Sequence, residues 1–135
     1  MGINRLSIDT NSYSNFLKGD ESSKKLFLEA DEIIVSAIVL GELNFGFKWG
    51  INENKNLEIL NKFLGDSKVK ILKINSQTAK IYSNIKHSLK KKGTPIPEND
   101  IWIAACAIET NSTLITFDKH FLFIENLKLI GVAKI

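Results

Sequence analysis

The chain has 135 residues, 44% of them hydrophobic and 24% charged, proportions that exclude a disordered polypeptide and suit a single domain spanning residues 1–135. Its formal charge of +3 is too small an excess to mark a nucleic-acid binder by itself. No apolar run approaches the roughly 20 residues of a membrane span, residues 1–14 lack the apolar centre of a signal peptide, and a lone Cys106 leaves no internal disulfide, so a cytoplasmic protein is expected.

Residues 5–9 read as a first strand, closed by Asp9 and followed by the polar pair Thr10-Asn11. Helical stretches over 13–18 and 21–29 precede a second strand over 33–36. Residues 38–49 read as a helix that Ser36 can cap, which puts Glu42 in the second turn among Ile38, Val39, Leu40, Phe45 and Phe47. The nearest basic residue, Lys48, falls on the other side of that helix. A carboxylate without a local ion-pair partner in apolar company needs compensation, and a metal ion is a reasonable source. A helix over 53–64, a strand over 69–74 and a helix over 76–92 come next. The last of these ends in Lys86, Lys90, Lys91 and Lys92, which suit the negative end of the helix dipole or, alternatively, a phosphate-contacting patch.

Residues 98–109 are apolar on every face once past Asp100, the mark of a buried helix, and Pro97 suits its first turn. Glu98 and Asp100 lie two residues apart and so on opposite sides. Asp100 shares its stripe with the small Ala104 and Ala107 and is assigned to a site, whereas Glu98 is left to solvent. Strands over 113–116 and 127–130 complete the chain, with Asp118 just beyond the first of them. Strands separated by helices predict an α/β fold around a mostly parallel sheet flanked by helices. In such sheets ligands sit beyond the carboxyl ends of the strands.

Asp9 and Asp118 can each simply cap a turn, and Asp100 can simply favour a helix dipole. The joint pattern says more, since two acids stand at strand ends and two on apolar helices. Carboxylates 4 Å apart repel by about 4 kcal/mol at an effective dielectric of 20, so converging acids require cations. Oxygen-only donors select hard ions, Mg²⁺ or Mn²⁺. No Cys/His pair has zinc spacing, and no Gly-rich phosphate loop is present. His87 in the lysine run and His120 beside an aromatic read as surface or packing residues. Ile38, Phe45 and Trp49 share the stripe of Glu42. Core packing is their first reading, and an exposed apolar wall that stacks bases or receives a partner helix is the second.

Four pieces in order, Ile8-Asp9-Thr10-Asn11, Ser36-x₅-Glu42-Leu43, Asn99-Asp100-Ile101-Trp102-Ile103-Ala104-Ala105 and Leu114-Ile115-Thr116-Phe117-Asp118-Lys119-His120-Phe121, span nearly the whole chain. Together they resemble the PIN-domain family and, within it, the VapC-type toxins of toxin–antitoxin pairs. The resemblance implies a PIN-like three-layer fold and an endoribonuclease using one or two Mg²⁺ or Mn²⁺ ions. Asp9, Glu42, Asp100 and Asp118 would be its catalytic, metal-holding acids, with Asp9 and Asp100 as the primary ligands. Thr10 or Asn11, and Thr116, would be the polar groups that orient them. An RNA substrate, a homodimer and a cognate antitoxin that blocks the cleft are further implications. Phe45 and Trp49 are candidate antitoxin anchors, and Lys86, Lys90, Lys91 and Lys92 candidate RNA-phosphate contacts. Gly41, just before Glu42, is a departure where a better helix former is ordinary.

Three alternatives stand beside this reading. One is a PIN nuclease of RNA processing with no antitoxin. Another is a Mg²⁺-binding receiver-like module, which needs adjacent acids after the first strand and an Asp after the third. Asp9 is single, and residues 71–75 end in Asn75. The last is a non-enzymatic RNA-binding module, in which four acids would only weaken phosphate binding.

Overall fold

The computed structural model describes residues 4–131, so the outermost residues of the expected domain, 1–3 and 132–135, lie outside the described part. Five strands, β1 (Arg5–Ile8), β2 (Glu32–Ser36), β3 (Val69–Leu72), β4 (Thr113–Ile115) and β5 (Lys128–Ile130), form one sheet in the order β3-β2-β1-β4-β5. Every pairing is parallel, so the sheet is wholly rather than mostly parallel. Helices α1 (Thr10–Leu17), α2 (Glu21–Glu29), α3 (Ala37–Trp49), α4 (Glu53–Leu64), α5 (Ser76–Lys92) and α6 (Glu98–Glu109) make the crossovers, and a 3₁₀ helix, Lys119–Phe123, links β4 to β5. Parallel neighbours demand such long connections.

The central strands are buried on both faces. Leu6, Ile8, Ile33, Val35, Leu114 and Ile115 are each at most 1% exposed, as expected when helices cover both sides of a sheet. The chain steps from β1 to β2 to β3 in one direction, then crosses back over β1 to β4. Right-handed crossovers in opposite directions place their helices on opposite faces, which produces three layers. Helix α6 lies against both β2 and β4 and so bridges the middle of the sheet. Tyr13, Phe16, Phe27 and Phe63 form an aromatic cluster among α1, α2 and α4. In it Phe16 stacks on Phe27 at 4.2 Å and Tyr13 meets Phe63 edge-on at 5.3 Å.

One local expectation changes, and the helix expected through Gly41 holds. Helix α1 starts at Thr10 rather than residue 13 because Asp9 caps it. The Ser12 N–H donates to Asp9 Oδ1 at 2.8 Å, and the Asp9 N–H donates to Ser12 Oγ at 3.0 Å. Thr10, Asn11 and Ser12 have weak intrinsic helix preference, so only this reciprocal cap reveals the start. Helix α3 runs unbroken through Gly41, where a Cβ would meet nothing within 4 Å. The glycine therefore neither kinks the helix nor serves a close contact. Among the described residues no helix is long and apolar enough to cross a membrane.

The reversal of chain direction falls between β1 and β4. A crevice opens at such a switch point, beyond the carboxyl ends of the strands. Asp9 follows β1 there, and Thr116 to Asp118 follow β4.

Candidate active site

Asp9, Glu42, Asp100 and Asp118 all line one cleft of about 170 Å³, together with Thr10, Asn11 and Ile103. It opens into a wider depression of about 490 Å³ walled by Glu42, Pro97, Glu98, Asn99, Asp100, Asp118 and His120. The four acids come from the end of β1, the second turn of α3, the first turn of α6 and the segment after β4. Only the crossovers bring them together.

Asp9 is the most enclosed, at 6% exposure. Besides the Ser12 N–H on Oδ1, its Oδ2 accepts the Thr116 hydroxyl at 2.5 Å. Thr116 is wholly buried, and its Oγ1 also accepts the Asp118 N–H at 3.1 Å. One threonine thus sets the backbone of one acid and the carboxylate of another. Asp9 caps α1 and lines the cleft as well, so the capping that the sequence offers as a rival reading does not remove it from the candidate site. The same is true of Asp118, whose Oδ1 accepts the His120 N–H at 2.9 Å and caps the 3₁₀ helix.

Glu42 is half-buried and has no adjacent cation, but it is not without partners. The Thr10 hydroxyl donates to Oε1 at 2.5 Å, and the Asn99 amide donates to Oε2 at 3.2 Å. Neutral donors from α1 and α6 therefore orient it while leaving its charge uncompensated. Ser36 caps α3, accepting the Val39 N–H at 3.2 Å, which fixes the turn that carries Glu42. Of the pair offered by the sequence, Thr10 is the one that bonds an acid. Asn11 lines the cleft and makes no such bond among the described residues.

Asp100 is where the repulsion registers. Burial, and then the neighbouring charge of Asp118, hold its carboxyl above the usual carboxylate range. His120 opposes that rise, and Glu42 adds to it. Charge is under-compensated at this point, as a cation site requires. Carboxylate oxygens of Asp100 and Asp118 and a ring nitrogen of His120 lie within 4.8 Å of one another. The donor set fits a divalent cation.

His120 corrects the sequence reading, which assigned it to surface or packing. Its Nδ1 lies 3.0 Å from Asp118 Oδ1 and 3.3 Å from Asp100 Oδ2. The missed signal is its spacing, two residues after an acid at a strand end. Asn99 was missed too, and its only sequence sign is adjacency to Asp100. Glu98, left to solvent, is exposed but engaged, since it accepts the Tyr82 hydroxyl and pairs with Lys86 at 3.0 Å.

The aromatic stripe of α3 splits. Ile38 packs on the core, whereas Phe45 and Trp49 are 68% and 85% exposed and stack on each other at 6.4 Å. Core packing, the first reading, is therefore wrong for these two. The inward face of α3 is made of Val39 and Leu43, flanked by the partly buried Ile38, Leu40 and Phe47, and Phe45 and Trp49 lie off it. In the lysine run, Lys90, Lys91 and Lys92 occupy the last turn of α5, where the helix dipole favours them. Lys92 pairs with Glu125 at 2.5 Å, and Lys86 alone of the four reaches the rim of the cleft, through Glu98. His87 is exposed on α5.

Comparison with known proteins gives a consistent result. A PIN domain model matches residues 6–126. Ribonuclease VapC2 of Rickettsia felis is 34% identical over 106 residues, which cover 78% of this chain and 78% of that protein. Ribonuclease VapC1 of Haemophilus influenzae is 33% identical over 102 residues, 75% of each. Among solved structures, VapBC2 of Rickettsia felis bound to a DNA fragment from its promoter superposes with a TM-score of 0.82 at 30% identity, over 93% of this chain and 97% of that one.

Proposed function

The chain belongs to the PIN-domain family, and on that premise we propose that it is a divalent-metal-dependent endoribonuclease, the toxin of a toxin–antitoxin pair acting in the cytoplasm. The observation that carries the chemistry is the convergence of Asp9, Glu42, Asp100 and Asp118 on one cleft at the carboxyl end of the sheet. Membership in this family overturns the receiver-like alternative. The relatedness to ribonucleases named VapC, and the likeness to a VapBC complex, favour the toxin over an RNA-processing nuclease without an antitoxin.

A phosphodiester is anionic, so bare carboxylates would repel it. Bound Mg²⁺ or Mn²⁺ supplies positive charge and lowers the pKa of a coordinated water. Asp9 and Asp100 are the primary holders of the ion, with Glu42 and Asp118 completing the set. Thr116 and the Ser12 N–H hold both oxygens of Asp9. Thr10 and Asn99 hold both oxygens of Glu42. Such outer partners keep donors aimed before substrate arrives. Glu42 and Asp118 both line the two depressions, and in this reading one of them orients the attacking water. Of the four lysines, Lys86 is the one we assign to an RNA phosphate near the cleft, because its partner Glu98 stands on the rim. Lys90, Lys91 and Lys92 extend that positive face along α5.

The partner is an antitoxin whose apolar residues cover Phe45 and Trp49 and whose Arg or Lys enters the acidic cleft. Guanidinium suits this role because its planar fork engages a carboxylate with two parallel hydrogen bonds. A homodimer is part of the same reading and is checked by mass in solution. The central test is RNA cleavage by the purified protein. Cleavage should require Mg²⁺ or Mn²⁺, stop on addition of EDTA, and be absent in Asp9→Ala and Asp100→Ala. Undiminished cleavage by both variants would defeat the site assignment.

A further inference from the structure

Oxygen donors explain the affinity of this cleft for a hard cation, but they do not explain His120. The 3₁₀ helix that carries it is anchored from two sides. Asp118 accepts the His120 N–H at 2.9 Å, and Phe121, the next residue, is fully buried. The imidazole is therefore not a free surface group, although about half its side chain meets solvent. Its Nδ1 faces two carboxylates that belong to different elements, Asp118 after β4 and Asp100 on α6. The ring thus turns one nitrogen to the point where both acids meet, within reach of any ion they share.

We infer that His120 is a direct nitrogen ligand of the ion held by Asp100 and Asp118, and that it tilts this cleft toward Mn²⁺ over Mg²⁺. The inference rests on the metal-dependent reading above and deepens it by naming the ion preference and the residue that sets it. Mg²⁺ prefers oxygen donors and gives up its water reluctantly. First-row transition ions accept imidazole, so one nitrogen among carboxylates separates the two ions where a further oxygen would not. A nitrogen ligand also adds a donor that brings no negative charge to the crowded acids around Asp100. Within the cluster of three donor residues, His120 supplies the one ligand that is not a carboxylate.

The experiment uses the full-length protein stripped of metal and loaded with Mn²⁺. Pulsed electron paramagnetic resonance reads the nuclei bound to the ion. The expected result is a directly coordinated ¹⁴N signal that converts to ¹⁵N when the protein is grown on ¹⁵N-histidine, a change that moves no atom. In His120→Gln the signal should vanish, and calorimetry should show Mn²⁺ affinity falling about tenfold, the low end of what metal-site substitutions cost, with Mg²⁺ affinity nearly unchanged. Affinity loss alone would not separate a ligand from an outer hydrogen-bond donor, which is why the nitrogen coupling decides. Bound Mn²⁺ without nitrogen coupling in the unsubstituted protein overturns the inference and leaves the metal reading intact. Failure of the folded protein to bind Mn²⁺ at all overturns both. Because the isotope experiment needs no substitution, a folding defect in His120→Gln does not blunt the test.

Discussion

Helix α6 buries Ile101, Ile103, Ala104, Ala105, Cys106 and Ala107, none more than 3% exposed, whereas α3, also apolar along most of its length, leaves Phe45 and Trp49 at 68% and 85% exposure. The two helices deliver an acid to the same cleft, Asp100 from α6 and Glu42 from α3. Their surroundings differ. Helix α6 crosses the sheet and packs on β2, β4, α3 and α5, so each of its faces has a neighbour. Helix α3 packs on β2, α1, α4 and α6 through Val39, Leu43 and the partly buried Ile38, Leu40 and Phe47, and leaves Phe45 and Trp49 outside. Hydrophobicity tells that a face will be covered, but not whether the cover comes from the same chain. On α6 the domain supplies it. On α3 the described residues do not supply it at Phe45 and Trp49, and the proposed cover is a partner, since a stacked Phe–Trp pair is the kind of anchor that dominates interface energy.

The comparison breaks most sharply on stability. Ile103→Ala should cost about 2–5 kcal/mol, the range for deleting a buried aliphatic side chain. Trp49→Ala removes far more surface yet should change the stability of the isolated protein by less than about 0.5 kcal/mol. Urea unfolding of both variants reads the difference. Equal losses would mean that the α3 aromatics are folded into the domain after all.

A smaller effect sharpens the assignment of the cover. Titrating a synthetic peptide of the antitoxin's C-terminal part into the protein should give at least about tenfold weaker binding to Trp49→Ala than to the unsubstituted chain, near 1.4 kcal/mol, with circular dichroism unaltered. Unchanged affinity would assign the stripe to a dimer contact instead.

The smallest effect concerns the acid that α6 delivers. Burial and then the Asp118 charge hold Asp100 above the usual carboxylate range in the folded protein. The folded state therefore binds the Asp100 proton more readily than the unfolded state does. Its contribution to stability falls as pH rises from the ordinary carboxyl range, about 4, through the raised folded value. In EDTA, Asp100→Asn should melt a few degrees above the unsubstituted protein at neutral pH, and the gap should close in acid. A lower melting temperature for the variant at neutral pH would make Asp100 a structural partner rather than a repelled charge.

The fold was largely legible because its signals are local. Helices over 21–29, 53–64, 76–92 and 98–109 appear with the expected bounds, since their apolar spacing lies within the segments themselves and Asp20 and Asn75 cap two of them from the residue just before. The start of α1 was not legible, because the Asp9–Ser12 cap overrides the poor helix preference of Thr10 and Asn11. The four acids were legible as oxygen donors at strand ends and on apolar helices. His120 and Asn99 were not, for each does its work on a residue of another element. Nor did the sequence separate Ile38, which packs inward, from Phe45 and Trp49, which do not.

Residue type and short-range spacing determined where this chain forms most of its strands and helices, and which end of the sheet carries its acids. Each of these depends on neighbours within a turn or two. Tertiary structure alone decided which polar groups meet. Thr116 reaches Asp9 across 107 residues, Asn99 reaches Glu42 across 57, and Thr10 reaches Glu42 across 32. Even His120 and Asp100, 20 residues apart, meet only because β4 returns beside β1 and the 3₁₀ helix folds back on α6. No local periodicity encodes such pairings. They follow from the strand order β3-β2-β1-β4-β5, which the whole core selects at once.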